Sequence, residues 1–294
     1  MKKNLFLLFA FAIALTSCKK DESVGTPSNP TSESTQKTSN PVLHFTQKVL
    51  VEEFVGCSYG DVPNSNYALN NYTMNMGSSN TVYVASLHIN DIMKINQTVP
   101  LLNSFGNGSP ISIPCALVNR GAFTGSRLSS WLQYGGRIQQ SLTQSASCGL
   151  AIASSIRNGH ATIDVSTKFG TTLNGQYTVS AYLVREIVTM PGAGYAQANN
   201  FNSTPGNPYY GKGNPVQSYT HQHVVIKALD ATNGGRVNTM VQIAGGIDTQ
   251  SFSCDISPSQ MGNDCYVIAY ITNNATRSVV NTQKVKLGMS KTWD

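Results

Sequence analysis

The spacing of apolar and polar positions changes near the middle of the chain. Before residue 147 strand-like runs alternate with helical spacing; after it the helix period disappears. Residues 48–54 form a β-rich apolar run, and 56–63 read as a turn. Residues 64–76 are expected to be helical, with Tyr67, Leu69, Tyr72 and Met76 on a loose apolar face and Pro63 suited to the first turn. Residues 81–89 make a second strand, so a βαβ unit with a parallel pair is expected. A third strand, 115–119, follows Pro114. A closing helix over 126–142 carries Leu128, Trp131, Leu132, Ile138 and Leu142.

The second half reads as strands at 148–156, 160–168, 176–188, 219–229, 236–243, 249–256, 264–273 and 278–287. Tight turns are marked by Asn158-Gly159 and Asn174-Gly175. Short strands at this spacing predict a β-sandwich of immunoglobulin-like architecture. Residues 189–218 break the pattern, with five Gly, four Pro, five Asn and Lys212 as the only charge. Loops of this length are usually functional or disordered. Its aromatics, Tyr195, Phe201, Tyr209 and Tyr210, either dock a peptide or glycan or pack on the sandwich.

The amino terminus carries an address. Lys2 and Lys3 precede an eleven-residue apolar run at 5–15, too short to span a bilayer and right for a secretory signal. Leu15-Thr16-Ser17-Cys18 fits a bacterial lipobox, so 1–17 are expected to be a lipoprotein signal and Cys18 the acylated first residue. Of residues 23–41, 15 of 19 are Ser, Thr, Pro, Asn or Gly, so 18–43 are expected to be a lipidated tether. These features predict a bacterial lipid anchor. Charged residues are 12% and the net charge is +6, yet no Lys/Arg run exceeds two, so nucleic acid is not an expected partner.

Val51-Glu52-Glu53-Phe54-Val55-Gly56, Pro63, Leu87-His88-Ile89 and Ile113-Pro114-Cys115-Ala116-Leu117-Val118-Asn119-Arg120 resemble the outer membrane protein 28-related lipoprotein family. The resemblance covers about residues 46–290. It implies a thioredoxin-like α/β domain, here 44–146, followed by a β-rich domain, here 147–294. Carried by the folded part, it also implies that the anchor sits in the outer membrane of a Gram-negative bacterium, with the periplasmic or surface side open. Family members often carry Cys-x-x-Cys-Pro after the Glu-Glu run. In this chain those positions fall on Tyr59 and Val62, with Pro63 retained. Dithiol exchange needs a thiolate at the helix start and a resolving thiol three residues on, so an inactive scaffold is expected. Pro114 resembles the loop proline beside which such folds grip an extended peptide; the alternative is a turn-forming remnant.

An oxidising compartment permits disulfides. The resembled fold places Cys57 and Cys115 at one end of neighbouring strands, implying a bridge or two buried thiols. Cys254 and Cys265 flank a short polar turn and are a second candidate pair. His221 and His223 alternate onto one strand face, a start for a zinc site, but the sequence offers no evident third ligand. His88 is expected to be a packed histidine. With no metal, no cofactor and no hydrolase constellation expected, the sequence reads as a non-catalytic binding module for a peptide, protein or glycan. The rival readings are a thiol-disulfide oxidoreductase using Cys57 and Cys115, and a structural component of an envelope complex.

Overall fold

The computed structural model describes residues 43–75, 80–106, 108, 110–123, 126–229, 235–258, 260 and 264–294. The lipobox, Cys18, most of the tether and Met76 lie outside the described residues. β1 (Val49–Val55) and β2 (Val82–His88) are buried along their whole length. Strands covered on both faces read as continuous apolar runs, which is how the sequence shows them. They pair in parallel, from Val49 opposite Val82 to Val55 opposite His88. α1 (Val62–Asn75) joins them, with Pro63 in its first turn.

α2 (Thr98–Phe105) comes next, then β3 (Cys115–Val118), antiparallel to β1. β4 (Leu128–Ser130) pairs with β3, and α3 (Tyr134–Leu142) follows it. The helix expected over 126–142 therefore begins as a strand. Leu128 and Ser130 sit opposite Leu117 and Cys115, and this ladder overrides a weak helical preference. The sequence reading also lacked α2, whose eight residues hold too few apolar repeats to show a period.

The remaining strands are β5 (Cys148–Arg157), β6 (His160–Phe169), β7 (Tyr177–Val188), β8 (His221–Ala228), β9 (Gly235–Arg236), β10 (Ile247–Asp255), β11 (Cys265–Asn273), β12 (Val279–Lys286) and β13 (Ser290–Lys291). They divide between two sheets. One has nine strands in the order β12-β11-β7-β8-β2-β1-β3-β4, with β9 on β7. The other has four, β10-β6-β5-β13. The expected boundary at 146/147 falls between α3 and β5, and the larger sheet runs across it where Ser86 of β2 meets Val224 of β8. By its contacts the described body is one unit. The strand expected over 236–243 is cut to β9, because Asn238 Oδ1 accepts from Met240 N and caps a 3-10 turn at Thr239–Val241.

The chain is thus mostly β-sheet with few helices on a mixed α/β core. Three apolar clusters hold it. Leu150, Ile163, Val165 and Phe169 of the small sheet pack on Val179, Leu183, Val267 and Ile271 of the large one. Leu50, Phe54 and Leu87 pack with Leu102 and Phe105 of α2 and with Tyr182 and Tyr270. Val49, Val51, Val82 and Val84 meet Leu69 of α1 and Tyr134 and Ile138 of α3. Burial of side chains this size stabilises by roughly 1.5–3 kcal/mol each.

Candidate functional site

The carboxyl ends of β1 and β2 lie side by side because the pair is parallel. β1 runs into Gly56-Cys57, and β2 ends on His88. The chain then turns to Asp91, whose Oδ2 lies 2.7 Å from His88 Nδ1 and accepts from Cys57 N at 3.0 Å. Asp91 Oδ1 accepts from Met93 N at 2.8 Å. Burial opposes ionisation of Asp91, but the His88 contact and these backbone donors outweigh it and hold its carboxyl below the ordinary value. His221, first residue of β8, brings its Nε2 to 3.9 Å from Cys57 Sγ and 2.8 Å from Tyr195 O. Its ring packs edge-on against His88, with centroids 5.3 Å apart. Cys57, His88 and His221 are all buried.

This environment favours neutral groups. Burial, reinforced by the Asp91 charge, pushes the Cys57 thiol up to about 12. Burial, reinforced by His88, pulls His221 down to about 4. Cys57 Sγ donates to Gly194 O at 3.5 Å. A thiol held protonated in this way is a poor nucleophile.

Residues 189–218 cover this end of the sheet. Ala198 N donates to Cys57 O at 2.8 Å, and Asn200 N to Gly60 O at 3.0 Å. Gln197, fully buried, directs Nε2 at the carbonyls of Cys57 (3.2 Å), Tyr59 (2.9 Å) and Ala198 (3.1 Å). Asn200 Nδ2 donates to Asp61 Oδ1, and Asn207 Nδ2 to Asn64 Oδ1. At Gly60 a Cβ would stand 2.1 Å from Asn200 Oδ1, so loop and turn touch. Gln197→Ala would strip a donor from a cluster of buried carbonyls, at a cost of about 1–3 kcal/mol. The expected readout is faster amide exchange at Ala198 and Asn200 with the strands unchanged; unaltered exchange there would refute the role of Gln197 as the clamp.

The sequence-predicted residues are placed as follows. Val62 is buried at the start of α1, and Tyr59 closes the turn, its N donating to Gly56 O. Pro114 is buried, after a cis peptide bond. Tyr195 is half-buried beside His221, and Tyr209 is half-buried with its ring centroid 6.0 Å from that of Tyr219. Phe201 is half-buried and Tyr210 exposed. His223 does not join His221: its φ of +54° breaks the strand alternation, and its Nδ1 lies 3.0 Å from Glu186 Oε1.

Neither candidate disulfide is formed: all five cysteines among the described residues are thiols, and for Cys57 and Cys115 the alternative of two buried thiols holds. Cys115 stands opposite Phe54 and faces the same apolar cluster, whereas Cys57 lies beyond the strand end and turns to Gly194 and His221. Cys254 belongs to β10 of the small sheet and Cys265 to β11 of the large one, where its Sγ donates to Gln260 O at 3.6 Å.

Two of the sequence runs that carry the resemblance, 51–56 and 113–120, meet in space. Glu52 is buried, and its Oε2 and Oε1 accept from Arg120 Nε (2.7 Å) and Nη2 (2.6 Å). Tyr182 OH donates to Glu52 Oε1 at 2.6 Å, and Arg120 Nη2 donates to Tyr270 OH at 3.0 Å. Asn119 Oδ1 accepts from Leu50 N at 2.8 Å.

No curated protein matches the chain. Among solved structures, HBP35 of Porphyromonas gingivalis is similar in fold, with TM-score 0.62 and 20% identity over 83% of this chain and 76% of that one. A domain of the outer membrane lipoprotein Omp28 from Porphyromonas gingivalis matches at TM-score 0.30 and 14% identity, over 49% of this chain and 90% of that one. The family model for outer membrane protein Omp28 matches residues 109–291. This span takes in Pro114, Asn119-Arg120 and all strands from β3 to β13. The chain therefore belongs to the Omp28 family of outer membrane proteins.

Proposed function

We propose that this protein is a non-catalytic binding module, a thioredoxin-like scaffold merged with a β-sandwich and held at the outer membrane through Cys18. The observation that carries the reading is the pinned turn. The segment from Gly56 to Asp61, which holds the first redox position, is hydrogen-bonded to the protein's own loop, with Tyr59 half-buried, and Val62 at the second position is buried. Tyr59 and Val62 stand at the redox positions, and the nearby thiols of Cys57 and Cys115 are each pushed up to about 12, first by burial. Binding surface remains elsewhere. An open groove of about 580 Å³ beside α1 is lined by Tyr67, Trp131, Asn64, Asn207 and Pro208. Aromatic faces and side-chain amides suit a peptide, protein or glycan.

The purified protein is expected to give no disulfide-reductase turnover above background with a protein disulfide and a thiol reductant. Turnover that Cys57→Ser abolishes would replace this reading with the oxidoreductase one. Cys18→Ser is expected to move the protein from the membrane to the soluble envelope fraction. Continued membrane association of that variant would refute the anchor.

A further inference from the structure

We propose that Cys57, His88 and His221 form a binding site for one divalent transition-metal ion of the zinc type. One ligand atom from each residue lies within 4.8 Å of the others, and all three residues are buried. Three unrelated parts of the chain supply them: the turn after β1, the end of β2 and the start of β8.

The donors are one sulfur and two imidazoles, a set that suits zinc and disfavours magnesium or calcium. Nδ1 of His88 is engaged by Asp91 at 2.7 Å. With the ring proton on Nδ1, Nε2 keeps its lone pair, the arrangement by which a carboxylate orients a metal-ligating histidine. His221 already brings Nε2 to 3.9 Å from Cys57 Sγ, and it ligates as the neutral imidazole. On binding, its Nε2 releases Tyr195 O and the ring proton moves to Nδ1.

Charge favours a divalent ion. The Cys57 thiol gives up its proton to solvent as the sulfur–metal bond forms. Thiolate, Asp91 carboxylate and a doubly charged ion then sum to zero in a buried place, where an uncompensated charge is costly. A monovalent ion would leave a net negative charge. The loop brings two carbonyls alongside: Gly194 O lies 3.5 Å from Cys57 Sγ, and Tyr195 O lies 2.8 Å from His221 Nε2. One of these or a water completes four-coordination. The site is independent of the groove beside α1, so the ligand-binding reading and the metal site stand or fall separately.

The test uses the full chain, stripped with a chelator and titrated with Co²⁺ and then Zn²⁺. The expected result is one Co²⁺ per chain, with a thiolate-to-cobalt charge-transfer band that stoichiometric Zn²⁺ abolishes. Cys57→Ser, close in size, should remove that band and leave the far-ultraviolet circular dichroism unchanged. Asp91→Asn should weaken Zn²⁺ binding by about 10–100-fold, and His221→Gln should weaken it at least as much. His223→Gln should leave it unchanged. Absence of stoichiometric Co²⁺ or Zn²⁺ binding in the unmodified protein would overturn the site. So would binding whose charge-transfer band survives Cys57→Ser, or a protein that takes Cu⁺ but neither divalent ion.

Discussion

Arg120→Ala is expected to destabilise the protein by about 3–5 kcal/mol, the range for removing one partner of a buried ion pair. Glu52 is buried on β1, and Arg120 supplies both of its guanidinium hydrogen bonds. Without Arg120 the carboxylate keeps, among the described residues, only the Tyr182 hydroxyl at 2.6 Å, too little to offset its lost hydration. The arginine also packs over Tyr270, with its guanidinium carbon 5.0 Å from the ring centroid, and that contact goes too. Its partners lie on β1, β7 and β11, so the loss reaches both halves of the large sheet. The checks are urea denaturation midpoints for Arg120→Ala, Glu52→Gln and the double change Glu52→Leu with Arg120→Met. Each single variant should lose several kcal/mol. The apolar pair should recover most of that, because replacing both charges removes the desolvation cost along with the attraction. Single variants within about 1 kcal/mol of the unmodified protein would show that the pair is energetically silent.

The order strand, helix, strand at 48–89 was legible because β1 and β2 are buried on both faces and so read as unbroken apolar runs. Most of the later strands were legible through their turns and alternation. How they assort between two sheets was not, since nothing local records that β7 pairs with β11 and β8 while β6 pairs with β10. The metal-type cluster escaped for the same reason. His88 looked like a packed histidine, and it is packed, but against His221, which lies far along the chain. Alternation pointed from His221 to His223, and the left-handed backbone at His223 undid that inference. Gln197 carried no signal at all. A glutamine in a Gly/Asn/Pro-rich loop reads as solvent-exposed, and only the fold shows it buried over the turn. The Glu52 and Arg120 runs were visible as motifs. Their reason, one bidentate ion pair, is a tertiary fact.

Glu53 gives the second large effect, and its sign is opposite to that of most carboxylates. It is buried on β1, and its Oε1 has no hydrogen-bond partner among the described residues. Burial pushes its carboxyl from 4.5 up to about 8. Its titratable neighbours Tyr134 and Cys115 are themselves pushed up by burial, so neither supplies a counter-charge. Below pH 4.5 the carboxyl is protonated in both folded and unfolded chains and has no effect on the balance. As pH rises past that value the unfolded chain ionises while the folded one cannot, so folding loses free energy. The loss grows until the native carboxyl itself ionises near pH 8, and by neutral pH it is on the order of 3 kcal/mol. Glu53→Gln removes this titration and keeps the shape of the side chain. The variant should therefore match the unmodified protein in urea midpoint near pH 4.5 and exceed it near pH 8, with the difference growing steadily between. Asp91, held below its ordinary value, acts in the other direction but at lower pH, so it does not disturb that window. A constant offset between the two proteins across this range would mean that Glu53 is already ionised in the fold.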